Sequence, residues 1–187
     1  MKILIENIKA LKILLKVAPK QDVRFYLNGI FFDIEKQKAV STDGQMMAVA
    51  SIIAESDLES SVIVGLSDRQ IPAKTESVVI YQDHAICFSL PGGIGERLKM
   101  MPIELISGDY PNWEKVTTHD KPNIEMDSQW FNPALLSRLT QVIHKDGAGV
   151  RLNFKGRWEA IHVKFSGSLE CVDAFVMPMR DPKEEAA

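Results

Sequence analysis

The stretch Ile3-Leu-Ile-Glu-Asn-Ile-Lys-Ala-Leu-Lys-Ile-Leu-Leu-Lys-Val-Ala-Pro19 decides the fold, because its first three residues read as a strand and the remainder as a helix. Apolar side chains at Ile8, Leu11, Leu15 and Ala18 recur three and four positions apart, the spacing of a buried helical stripe. Pro19 then stops the helix. Past it, residues 23–27 and 30–34 flank Asn28-Gly29, a hairpin signal, and residues 46–52 follow the turn-like Thr42-Asp43-Gly44. The reading is strand, helix, three strands: one βαβββ unit.

The same order repeats with less clarity. Residues 61–64 read as a strand, 66–73 as a short helix cut off by Pro72, and 77–80, 85–89 and 99–106 as strands separated by Gln82-Asp83 and the loop Pro91-Gly92-Gly93. In a third unit, residues 123–126 read as a strand. Asn132-Pro133 caps and starts a helix running to His144, and strands follow at 149–154, 158–165 and 172–177. The fold class predicted is therefore α+β. Residues 1–117 hold two units, 118–180 hold a shortened half, and the polar run 181–187 is a frayed tail.

Composition sets the frame around that pattern. With 187 residues, 45% hydrophobic and 25% charged, the chain is an average globular protein, excluding fibrous, disordered and disulfide-scaffold classes. No apolar run approaches the roughly 18 to 20 residues that span a bilayer, and Glu6 interrupts the start before any signal-peptide core, so a cytoplasmic protein with no membrane partner is expected. Cys87 and Cys171 stand far apart without a CxxC and read as buried, reduced thiols. A formal charge of -3 argues against a uniformly basic nucleic-acid binder but permits positive charge gathered on one face.

The first helix supplies such a face. Lys9, Lys12 and Lys16 stack into one stripe with no interleaved acid, and Lys20 follows. Like charges so spaced repel by about a few tenths of a kcal/mol per pair, which phosphates would compensate without reading bases. Arg138, Gln141 and Lys145 give the third unit's helix a weaker basic side, and Arg69 and Lys74 mark the second.

Signs of catalysis are thin. His84, His119, His144 and His162 show no metal-ligand spacing, Pro91-Gly-Gly-Ile-Gly95 lacks the Lys-Ser/Thr of a phosphate loop, and Asp33 and Glu35 lack a partner nucleophile. No enzyme, metal or cofactor is expected. The extended connector Tyr110-Pro111-Asn112-Trp113 and the apolar end Ala174-Phe-Val-Met-Pro-Met-Arg180 suggest instead an adaptable groove at a domain junction. Leu27 and Met47, read on neighbouring strands, would meet Pro111, Val116 and Met177 there.

Four segments, in order, resemble a family: Asp22-Val-Arg-Phe-Tyr-Leu-Asn-Gly29, Ser41-Thr-Asp-Gly44 with Met46-Met-Ala-Val49, Asp109-Tyr-Pro-Asn-Trp-Glu-Lys-Val116, and Val176-Met-Pro-Met-Arg180. They are similar to signature segments of the bacterial DNA polymerase III beta subunit, the replicative sliding clamp. Residues 1–116 resemble its middle domain, and 117–173 a shortened last domain. The resemblance implies the DNA clamp fold, with helices toward a central hole around duplex DNA and antiparallel sheets outside. It implies a partner-peptide groove at Arg24, Leu27, Thr42, Gly44, Met47, Pro111, Val116, Phe175 and Met177, and DNA contacts from Phe25 and Tyr26 beside Lys9, Lys12, Lys16 and Arg138. The partners implied are duplex DNA, a DNA polymerase and other clamp-binding-motif proteins, a clamp loader, and further copies of the chain. Family rings hold twelve units, so three per chain makes a tetramer. A non-encircling module that sequesters host clamp-binding proteins is the alternative. A shortened clamp of this kind suits a phage, prophage or plasmid.

Overall fold

The computed structural model describes residues 1–117, 129–143, 149–156 and 159–180. It opens with β1 (Ile3–Ile5) and α1 (Ile8–Val17), then a 3₁₀ turn (Phe25–Leu27), β2 (Ile30–Asp33), β3 (Lys38–Thr42), β4 (Met46–Ala50) and β5 (Ile53–Ser56). The second unit gives β6 (Val62–Leu66), β7 (Ser77–Ile80), β8 (His84–Phe88) and β9 (Arg97–Ile106), and a connector carries the short α2 (Glu114–Thr117). The last part supplies α3 (Pro133–Ile143), β10 (Val150–Asn153), β11 (Ile161–Phe165) and β12 (Val172–Val176).

All the strands join one antiparallel sheet in the order β10-β11-β12-β4-β3-β2-β6-β9-β8-β7-β1-β5. The first two units exchange their leading strands: β1 pairs with β7, and β6 pairs with β2. The long β9 staples the halves, since its early residues pair with β8 and residues 103–106 pair with β6. β12 pairs with β4, so the chain's end extends the sheet of its first unit.

The helices cover one face. Asn7 caps α1 through Oδ1, which accepts from the Ala10 N–H at 3.0 Å. α1 buries Ile8, Ala10, Leu11, Ile13, Leu14, Leu15 and Val17, a wider face than the stripe expected, because α3 packs beside it as well as the sheet beneath. Under the helices lie Ile3, Ile5, Phe32, Met46, Ala48, Val64, Met101, Ala174 and Val176. The opposite face carries two smaller clusters, one of Val40, Met47, Val49, Ala160 and Phe175 and one of Leu4, Val79, Ile86 and Phe88.

Three expected elements differ. Residues 23–27 are not a strand: Asn28 Oδ1 accepts from the Asp22 N–H at 2.7 Å while Asn28 Nδ2 donates to the Asp22 carbonyl at 3.2 Å, and this closed loop holds a 3₁₀ turn instead. Residues 66–73 form no helix. Leu66 ends β6, Asp68 Oδ1 takes the Gln70 N–H at 2.9 Å in a local turn, and Pro72 has no N–H to continue one. β3 was not expected at all; the helix at Pro133 was, and Asn132 Oδ1 caps it, accepting from the Ala134 N–H at 3.0 Å. The boundary expected near residues 118–122, the strand at 123–126, His119, His144, Lys145 and the tail lie outside the described residues.

Candidate DNA face and peptide groove

On the helix face, α1 presents Lys9 and Lys12 half-buried and Lys16 exposed. Lys12, Lys16 and Lys20 line a cleft of about 1550 Å³ together with Phe25, Arg69 and Arg138. Two acids, Asp68 and Glu104, also line it. Asp68 is neutralised by Lys99, whose Nζ sits 2.6 Å away and whose hydrogen bond holds the carboxyl below its ordinary range. Lys9 points elsewhere, its Nζ 3.4 Å from Ser168 Oγ. Phe25 is 57% exposed and packs edge-on against Tyr26, with ring centroids 5.8 Å apart.

Arg138 does not stand open toward the cleft. Its Nη1 meets Asp43 Oδ2 at 2.5 Å, and its Nη2 donates to the Lys16 and Val17 carbonyls at 2.8 and 3.2 Å. Arg69 has a similar task that the sequence did not reveal. Its Nη1 donates to the Leu15 and Ala18 carbonyls at 3.1 and 2.5 Å, and its Nη2 to the Pro19 and Asn28 carbonyls at 2.6 and 3.1 Å. Only the missing helix at residues 66–73 allows this reach, so no pattern in the sequence announces it.

On the opposite face, the strand register lays out a row of side chains. Thr42 stands across from Met47, Met47 from Phe175, and Phe175 from His162. Met47 and Phe175 are buried, and Tyr110, Trp113 and Val116 of the connector pack against their cluster. Tyr110 stacks flat on Phe31, centroids 4.8 Å apart, and burial pushes its hydroxyl well above the ordinary phenol range. Trp113 Nε1 donates to Asp33 Oδ2 at 3.1 Å. His162, missed as a member of this row, stacks on Phe175 at 4.7 Å and bonds Asp173 Oδ1 at 2.7 Å.

The β3–β4 turn forms the row's end. Gly44 takes φ +86°, and a Cβ there would come within 2.9 Å of Arg24 Nη1. Arg24 is held by a fork onto Asp22, with Nε to Oδ1 at 3.0 Å and Nη2 to Oδ2 at 2.8 Å, and Nη2 also donates to the Asp43 carbonyl at 3.0 Å. That guanidinium brings the Asp22 carboxyl down to about 2. The Met177 N–H donates to the Gln45 carbonyl at 2.8 Å, which leaves the Met177 side chain 43% exposed beside the turn. Of the groove residues expected, the structure thus gathers Thr42, Met47, Val116 and Phe175 on one face and Arg24, Gly44 and Met177 at its margin. Pro111 is exposed on the connector, whereas Leu27 is buried in the 3₁₀ turn rather than on a strand beside Met47. Among the described residues, no group of three His, Cys, Asp or Glu side chains could hold a metal, and no helix is long and apolar enough to cross a membrane.

The sheet with exchanged leading strands, a helix layer on one face and apolar rows on the other is the DNA-clamp fold. The DNA polymerase sliding clamp of Bacillus subtilis superposes with a TM-score of 0.67 at 14% identity, covering 97% of this chain and 64% of that one. The Pseudomonas aeruginosa sliding clamp, solved with ligand, gives 0.63 at 17% identity, covering 97% of this chain and 66% of that one. In sequence the chain's relatives are beta sliding clamps: that of Buchnera aphidicola is 26% identical over 145 residues, and that of Vibrio cholerae 27% over 142. The Buchnera match covers 73% of this chain but 38% of the relative, so the chain spans well under half the length of the curated protein. No protein-family model matches it.

Proposed function

We propose that the chain is a compact sliding clamp, a processivity factor that does no chemistry of its own, encircles duplex DNA and recruits a DNA polymerase, a clamp loader and other motif-bearing proteins through an apolar groove. The observation that carries this is the pairing of a clamp fold with Lys12, Lys16 and Lys20 along one cleft of its helix layer. Clustered lysines attract phosphates at any sequence, which suits a protein that must slide.

Ring formation is supported by the sheet edges. Among the described residues β10 pairs only with β11 and β5 only with β1, so each edge strand leaves a row of backbone groups open. Edges of this kind are normally covered, and head-to-tail pairing of β5 on one copy with β10 on the next would cover both. Four copies make the twelve-unit ring. The groove is the outer-face row from Thr42 to Phe175, with Met177, Val116, Pro111 and the Arg24–Gly44 corner as its rim, and Phe25 and Tyr26 stand toward the DNA.

Duplex binding measured against salt tests the DNA part. The Lys12→Gln/Lys16→Gln protein should bind more weakly on every sequence alike, with the log-log salt slope reduced by about 0.9 for each phosphate that is no longer neutralised. An unchanged affinity and slope would return the lysines to an ordinary solvated helix face.

A further inference from the structure

α1 ends on an unusual arrangement. Ala18 donates its N–H to the Leu14 carbonyl at 2.9 Å, and Pro19 cannot donate at all. The carbonyls that follow would normally turn to water or to a capping glycine. Here two guanidiniums, from the loop after β6 and from α3, take Leu15, Lys16, Val17, Ala18 and Pro19 between them. Both bring positive charge to the negative end of the helix dipole, the stabilising sense.

We infer that Arg69 and Arg138 are positioning residues for duplex DNA: they lock the last turn of α1 so that Lys16 and Lys20 face one cleft, and neither guanidinium is itself a phosphate ligand. The inference rests on the DNA-binding reading above and assigns its parts. Donor counting supports it. Arg69 directs its two terminal nitrogens at four carbonyls, which uses all four of their N–H groups, and it is half-buried. Arg138 already has its charge matched by Asp43. A phosphate would have to displace these bonds, whereas Lys16 and Lys20 are exposed on the same cleft. The arrangement also explains how a unit without its helix still contributes to the helix face: its loop clamps the neighbouring helix in place.

Substitution by lysine separates the two roles, because a lysine serves nearly as well as arginine for a single phosphate but cannot fork across several carbonyls. The measurements are duplex affinity against salt for the wild type, Arg69→Lys, Arg138→Lys and Arg138→Gln, and amide hydrogen exchange at Ala18. We expect Arg138→Lys and Arg138→Gln to weaken binding to the same extent with the salt slope kept, and Ala18 to lose protection in each of the three variants. The Arg138 pair carries the test even should Arg69→Lys fail to fold. The inference is overturned if Arg138→Lys binds like the wild type while the slope for Arg138→Gln falls by about 0.9, the mark of a phosphate ligand, or if every variant binds as the wild type does. Absence of duplex binding by the wild type would sink the DNA reading instead, and is distinguishable from both.

Discussion

Phe175 of β12 stands directly across from Met47 of β4, so the chain's final strand completes the apolar row that its first unit begins. Two side chains from opposite ends of the sequence therefore share one buried cluster, and the His162 ring closes it on the far side. The residues at its centre and those at its rim should respond differently to truncation, because the centre is sealed while Met177 is open to solvent.

Met177→Ala should weaken binding of a Gln-, Leu- and Phe-containing clamp-binding peptide by about 1–2 kcal/mol while leaving the melting temperature near that of the wild type. Leu27→Ala should do the reverse. Leu27 is 1% exposed, so its removal leaves a cavity and costs about 2–5 kcal/mol of stability. Titration of labelled peptide together with thermal melts distinguishes them; a Met177→Ala protein that binds normally would remove that residue from the groove.

Acid should loosen the outer face through Asp173. The hydrogen bond from His162 holds its carboxyl below the ordinary carboxylate range, with Lys164 and Lys38 adding in the same direction. A depressed folded-state pKa contributes stability that is present above the unfolded value of about 4 and is lost as pH falls through the folded one. The wild type should consequently lose more melting temperature than Asp173→Asn when taken from neutral pH to below about 4. Parallel melting curves across that window would count against the pair.

Gly44→Ala should destabilise the β3–β4 turn. Holding a side chain at φ +86° costs about 1–2 kcal/mol, and Arg24 must leave its place over the turn. For a chain of this size that corresponds to a fall in melting temperature of about 2–8 °C. Calorimetry checks it, and an unshifted transition would mean that the turn relaxes without strain.

Much of the architecture was legible in the sequence where periodicity and capping agreed. α1, the helix at Asn132-Pro133 and most strands of the second unit came from apolar spacing and turn residues, and the four family-like segments pointed to the clamp fold. What escaped detection was decided by contacts between distant residues. β3 reads Lys-Ala-Val-Ser-Thr, and its Ala39 and Ser41 are small because they lie on the helix side of the sheet, where α1 packs, leaving almost no apolar alternation to read. Residues 23–27 have strand propensity, yet the Asp22–Asn28 exchange of hydrogen bonds and the Arg24–Asp22 fork favour a compact loop. Of the candidate site, the lysine stripe was visible in the sequence. The capture of Arg138 by α1 and Asp43, and of Arg69 by four carbonyls, depends on tertiary placement and could not be.

The account's central claim is that copies of this chain close into a ring. Sedimentation or light scattering well above micromolar concentration tests it most directly. Four chains of 21.0 kDa, a species of four times that mass, is the predicted result. A strictly monomeric 21.0 kDa species throughout the range would contradict it and leave a clamp-like module that does not encircle DNA.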